Sequence, residues 1–179
     1  MSGDDETLAC AGDALLALAA ERPWREVTLR EIADKAGEPL TRLYALANGK
    51  RALLDHLSAR FDQAALATAA TPSDDIHDRL FDAVMARIEA MEPHRAALIA
   101  IQRAGVIPLL TRLPRTARAL LEAAGVNATP PRLAAMTAVW ARVVQVWRAD
   151  EGALNRTMAE IDKRLKDMRH QLGRIGAGF

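Results

Sequence analysis

Residues 28–54 read TLREIADKAGEPLTRLYALANGKRALL, and the punctuation of this stretch decides the fold. Thr28 stands three residues before Glu31 and just ahead of Leu29, Ile32 and Ala33, the spacing of a capping box at a helix start. Gly37 should stop that helix after about two turns. Pro39 fits the first turn of the next helix, where its missing N–H would be unpaired anyway, and that short helix carries Leu40, Thr41, Arg42, Leu43 and Tyr44. Asn48-Gly49 closes it. Lys50 then opens a long helix whose apolar face is Leu53, Leu54, Leu57, Phe61 and Leu66.

Upstream of this stretch, Leu8, Leu15 and Leu18 lie on one face of a helix expected from about Asp5 to Glu21, which Arg22-Pro23 ends. Trp24 is placed to plug a first small core. Downstream, after a break at Thr71-Pro72-Ser73, an amphipathic helix holds Ile76, Leu80, Phe81, Val84, Ile88 and Met91. Pro93 begins another helix, through Leu98, Ile99 and Ile101, to Gly105. From Gln102 to Leu121 there are four arginines, Arg103, Arg112, Arg115 and Arg118, and no acidic residue; Val106, Ile107, Leu109, Leu110 and Leu113 are interleaved, and Pro108 and Pro114 interrupt. Short irregular helices around an opening are expected there. A turn from Gly125 to Pro131 leads into a long helix with Leu133, Met136, Trp140, Val143, Val144 and Trp147. Past Gly152, Leu154, Met158, Ile161, Leu165, Met168 and Leu172 step by fours and threes, a narrow coiled-coil-like seam, and Gly173 to Phe179 reads as a frayed tail.

Composition agrees with helices throughout. Half of the 179 residues are apolar but only 4% are aromatic, and alanine and leucine dominate where a sheet would want β-branched side chains. No strand is expected, so the fold class is all-α. The chain should divide into a three-helix headpiece, residues 1–50, and a helical body, residues 51–179. Cys10, the single cysteine, excludes an internal disulfide framework and is expected to be a small buried hydrophobe. No apolar run approaches the roughly 20 residues that span a bilayer. The start Asp4, Asp5, Glu6 is the opposite of a secretory signal, so a soluble, cytoplasmic protein is expected.

Charge is distributed unevenly. Through Arg60 there are 8 Lys and Arg against 10 Asp and Glu, a balance of −2, and the rest of the chain carries 16 against 13. Catalysis is not expected, nor a cofactor or metal. His56, His77, His94 and His170 fall on four separate helices, without metal-ligand spacing, a glycine-rich phosphate loop or a nucleophile elbow.

The segment from Thr28 to Leu54 resembles the signature of the TetR family of transcriptional regulators over its full span. That resemblance implies a helix-turn-helix headpiece whose short helix enters the major groove of DNA, in front of a ligand-binding and dimerising body. It implies phosphate contacts for Tyr44 and for Lys50 at the next helix start, a further hydroxyl from Thr28, and base-edge or backbone contacts for Leu40, Thr41 and Arg42. Three positions depart from the family pattern: Glu38 in place of a small apolar residue, Pro39 in place of Ser or Thr, and Ala47 in place of an aromatic. A carboxylate at Glu38 would repel a DNA backbone.

In the body, the run Asp78 to Arg87 followed by Met91-Glu92-Pro93-His94-Arg95 is similar to the TetR-fold lipid-binding proteins of ubiquinone biosynthesis, whose headpiece is degenerate. Two functions from different classes follow. One is a homodimeric regulator, expected to be a repressor, that meets a palindromic operator and responds to a small apolar effector. The other is a lipid or isoprenoid carrier that has lost DNA binding. Candidate ligand residues are Met85, His94, Arg95, Trp140 and Trp147, although the tryptophan spacing suits core or dimer packing better than a pocket wall and a run such as the arginines of 103–118 is most often a wet face. Candidate dimer residues are Val143, Leu154, Met158, Ile161, Leu165 and Met168, on two helices that should pair with their copies in a four-helix bundle.

Overall fold

A computed structural model describes residues 3–70, 73–105, 108–150 and 152–179, with no strand among them. The expected break at Thr71-Pro72 and the pair Val106-Ile107 lie outside the described residues, as do the side chains of residues 108–111. Helices follow in the order α1 (Gly3–Glu21), α2 (Leu29–Ala36), α3 (Leu40–Leu46), α4 (Lys50–Ala67), α5 (Ile76–Met91), α6 (Arg95–Arg103), α7 (Pro108–Ala123), α8 (Pro130–Ala149) and α9 (Asn155–Arg174), with single 3-10 turns at Thr68–Ala70 and Glu92–His94. No described helix is long and apolar enough to cross a membrane.

Packing divides the chain into two units, and the division differs from a cut after Lys50. The first unit comprises Met1–Arg60 and His94–Pro108; the second comprises Phe61–Pro93 and Leu109–Phe179. Helix α4 thus gives its first half to one and its second half to the other. In the first unit α1 is central: α2 and α3 pack on it, and so does α6. This is why its buried residues (Ala11, Gly12, Ala14, Leu15, Leu16, Leu18, Ala19) spread around the helix instead of forming one stripe. Trp24, Val27, Ile32, Leu43, Leu53 and Leu57 complete this core. Cys10 is exposed, a correction to the expected burial: it falls on the narrow wet side of α1.

The second unit is built on the α8–α9 hairpin, against which α5 packs. Its core is Leu80, Val84, Ile88, Met136, Trp140, Val144, Trp147, Ile161 and Leu165. Two expectations are corrected here. Arg103 ends α6, and from Pro108 onward the arginine-rich stretch forms one helix, α7, which continues through Pro114. The proline ring lies on the exposed side, while Leu113, Thr116, Ala117 and Leu120 on the other side are buried, so tertiary packing holds the helix across the hydrogen bond that proline removes. The tail after α9 is tied down, not frayed, because the Arg132 guanidinium donates to the Ala177 carbonyl at 3.0 Å and the Gly178 carbonyl at 2.6 Å and stands 5.8 Å from the centre of the Phe179 ring.

The turn before α9 shows a substitution of roles. Leu154 occupies the cap position with φ 54°, a left-handed conformation, and has no side-chain oxygen to offer. The buried Asp150 caps the helix from a distance instead, its Oδ2 accepting from the Thr157 N–H at 2.9 Å and the Thr157 hydroxyl at 2.8 Å.

Candidate nucleic-acid interface

The site lies in the first unit, on the outward face of α2 and α3. Helix α2 is fixed at both ends by its own sequence. Thr28 Oγ1 accepts from the Glu31 N–H at 3.3 Å, while Glu31 accepts from the Thr28 N–H at 2.8 Å, the complete reciprocal box. Bonds from the Thr28 backbone and hydroxyl, with Arg22 2.9 Å away, hold the Glu31 carboxyl down at about 2. At the other end Gly37 adopts φ 71°, which only glycine takes without strain, and the Glu38 N–H donates to the Ala33 carbonyl at 3.0 Å. The chain is thereby aimed into α3.

Helix α3 presents two distinct faces. Leu43 is fully buried against the headpiece core, whereas Leu40 is 39% and Tyr44 59% exposed. With Leu29, Arg30 and Thr41 they line a shallow, mostly apolar depression of about 480 Å3. Ala47 and Trp24 are both buried in the headpiece core.

The two cations expected to meet DNA have partners inside the protein. The Arg42 guanidinium donates to the Gly3 carbonyl at 2.9 Å and lies 3.3 Å from the Asp4 carboxylate and 3.9 Å from that of Glu38. The Lys50 ammonium donates to the carbonyls of Trp24 at 2.8 Å and Val27 at 2.6 Å and sits 4.3 Å above the Trp24 ring. Burial pushes its pKa down. Lys50 therefore pins the turn between α1 and α2 onto the start of α4. Glu38 likewise faces inward, accepting from the Thr7 hydroxyl at 3.0 Å instead of standing toward a ligand. Arg30 is the cation sequence reasoning missed: it is exposed on the rim of the depression, with no ion pair among the described residues. Its place two residues past the Thr28 cap, on the side of α2 roughly opposite the apolar Ile32, was the available signal.

The candidate ligand residues fall in both units. His94 and Arg95 belong to the first unit, and Met85, Trp140 and Trp147 to the second. Desolvation and then the nearby Arg60 charge lower the pKa of His94, which disfavours the cationic form that would hold an anion. Trp140 and Trp147 are fully buried, Trp147 donating to Glu92 at 2.5 Å and Trp140 lying under the Arg87 guanidinium, 4.5 Å from the ring centre. Arg87 is the other residue the sequence did not single out. It is 1% exposed and pairs with Asp62 at 2.7 Å, with the Thr116 hydroxyl 3.3 Å away.

Of the candidate dimer residues, Val143, Ile161 and Leu165 are buried within the protomer, on helices α8 and α9, which pack on each other and, through α9, on α5, while Met168, also nearly buried, lines a groove between α8 and α9. Only Met158, 42% exposed, and the half-buried Leu154 remain accessible. That groove, of about 310 Å3, runs along the outer side of α8 and α9, floored by Ala135, Ala138 and Val139 and flanked by Arg142 and Arg164, both bonded to Glu160.

Neither a family model nor a curated protein matches the sequence. Solved structures do match. A TetR transcriptional regulator from Nitrosomonas europaea is similar at TM-score 0.74 and 21% identity, over 90% of this chain and 97% of that one. One from a Rhodococcus species is similar at TM-score 0.70 and 16% identity, over 93% and 97%. The TetR-family repressor AlkX of a Dietzia species, implicated in biodegradation of n-alkanes, is similar at TM-score 0.58 and 17% identity, over 90% and 97%. Likeness of this extent along both chains, at so low an identity, is a likeness of architecture: the chain has the fold of the TetR-family transcriptional regulators.

Proposed function

We propose that this chain is a homodimeric transcriptional regulator that binds a palindromic operator through α3 and answers to a small effector, acting as a repressor. The observation that carries the proposal is the orientation of α3, held by a capped α2 and a glycine turn with Leu43 inward and Leu40, Thr41 and Tyr44 outward. A two-helix unit built to expose large side chains on its short second helix has the geometry of a major-groove reader. Tyr44 and Arg30 supply phosphate contacts, Leu40 and Thr41 face base edges, and Arg42, Lys50 and Thr28, whose N–H and hydroxyl both go to Glu31, act mainly by holding the headpiece together. The interior of the second unit is apolar apart from a few groups such as Arg87, Asp62 and Thr116, a chemistry suited to an effector with an apolar body. The groove along α8 and α9, with Met158, offers the surface for a second copy.

The carrier reading draws on one observation, the occupation of Arg42 and Lys50 by groups of the protein itself. Electrophoretic-shift and anisotropy titrations of the purified protein on DNA upstream of its own gene, over a series of salt concentrations, separate the two. Sequence-specific binding that falls on Tyr44→Ala or Arg30→Ala supports the regulator. Absence of binding at low salt, together with lipid that co-purifies and is identified by mass spectrometry, supports the carrier and sinks the regulator.

A further inference from the structure

We infer that α3 selects thymine, through contact of Leu40 with the thymine 5-methyl group, and does not read guanine through Arg42. The inference rests on the DNA-binding proposal and goes beyond it by naming the base chemistry of the operator. A guanine contact by arginine is bidentate and uses both arms of the guanidinium on O6 and N7. Arg42 is instead turned toward the protein: Nη2 bonds the Gly3 carbonyl and lies 3.3 Å from Asp4, and Nη1 stands 3.9 Å from the Glu38 carboxylate. Turning Arg42 toward a base would break these contacts and leave two carboxylates unneutralised near a phosphate-rich duplex, an electrostatic penalty that a guanine contact must overcome. No other cation lies on α3.

The groups α3 leaves available are apolar or neutral. Leu40 projects from the first turn, 39% exposed, beside exposed Thr41, and together with Leu29 they form a depression whose lining is mostly hydrocarbon. On the major-groove edges of the four bases the apolar feature is the thymine 5-methyl group, which leucine or the threonine methyl can cover. Arg30 and Tyr44 stand on the rim of the same depression, where a guanidinium and a phenol can grip the phosphates on either side of the base being read. This charge complementarity, a cation at the edge of an apolar floor, matches a duplex with methyl groups in its groove.

The test starts by selecting binding sites from a random-sequence duplex pool with the full-length protein, then replacing each thymine of the selected site by deoxyuridine, which removes the methyl and leaves base pairing unchanged. At one or two thymines per half-site the replacement should weaken binding about fourfold per methyl, the scale of losing one buried methylene-sized group. Leu40→Ala should weaken binding to the thymine site and bind the deoxyuridine site equally well. Leu40→Met, which keeps an apolar side chain, should retain the preference, and Arg42→Gln should leave every base preference in the selected site unchanged. Circular dichroism melting of each variant checks that the headpiece stays folded. A selected site indifferent to deoxyuridine at every thymine, or a guanine preference that vanishes in Arg42→Gln, would overturn the inference while DNA binding stands. A pool that yields no enriched sequence even at low salt overturns the DNA-binding proposal itself.

Discussion

The buried guanidinium of Arg87 ties four helices of the second unit: its own α5, α4 through Asp62, α7 through Thr116 and α8 through the Trp140 ring. Burial pushes its pKa down while the Asp62 charge opposes that shift, so the pair is an expensive burial held together by geometry. The two partners are not equivalent, because the Asp62 side chain keeps 16% of its surface and Arg87 almost none. Asp62→Asn should therefore cost about 3 kcal/mol or more in urea unfolding, by taking the carboxylate away from a buried guanidinium. Arg87→Met should cost less, since water can reach the carboxylate left behind. Equal losses in the two variants would remove the asymmetry argument. In the headpiece, Glu31 titrates at about 2 in the folded state against an ordinary 4.5, so its contribution is complete above pH 4.5 and is lost as pH falls toward 2. A melting-temperature series between pH 5 and pH 2 should show a steeper decline for the wild-type chain than for Glu31→Gln; parallel curves would show that the box adds nothing through its charge.

At the scale of elements, what was legible in the sequence was local. The capping box at Thr28 and Glu31 and the left-handed Gly37 act within five residues of themselves, and α2 and α3 start and stop where those signals stand. Helix α9 shows where such signals end, since its cap comes from Asp150, on the far side of the turn, and Leu154 at the cap position carries none. Asp150→Ala should cost about 1–2 kcal/mol, in the upper range for a lost cap because Thr157 would be left buried with its N–H unsatisfied. Exchange of the first amides of α9 should quicken in the same variant; unchanged exchange there would mean that Leu154 and its neighbours hold the turn without the carboxylate. Helix α7 is illegible locally because Pro108 and Pro114 are strong breakers, and only the burial of Leu113, Ala117 and Leu120 overrides the second of them. The partners of Arg42 were equally invisible, because Gly3 and Asp4 lie nearly forty residues away and no spacing rule links them.

For the whole molecule, hydrophobic periodicity tells that a face is buried and says nothing of what buries it. The steps Ile161, Leu165 and Met168 share one periodicity, yet the protomer covers Ile161 and Leu165 itself, while Met168 lines the shallow groove that α8 and α9 turn outward, with Ala135 and Ala138 and its charged walls. If that groove is the two-fold interface, a bulky charge at its floor should split the dimer: Ala138→Glu should sediment as a monomer at micromolar concentration with unchanged helicity. The split should also appear in the salt dependence of DNA binding, where the slope of log K against log salt counts phosphate contacts at about 0.9 each. With Arg42 and Lys50 turned inward, the headpiece carries few cations to spend on phosphate, and a shallow slope is expected. In a symmetric dimer Arg30→Ala removes one contact per half-site and should lower that slope by about two, whereas the monomeric Ala138→Glu should show about half the wild-type slope and lose about one on the further change of Arg30. A slope untouched by Arg30→Ala would take Arg30 out of the interface, and a dimer that survives Ala138→Glu would move the two-fold axis to another face of α8 and α9.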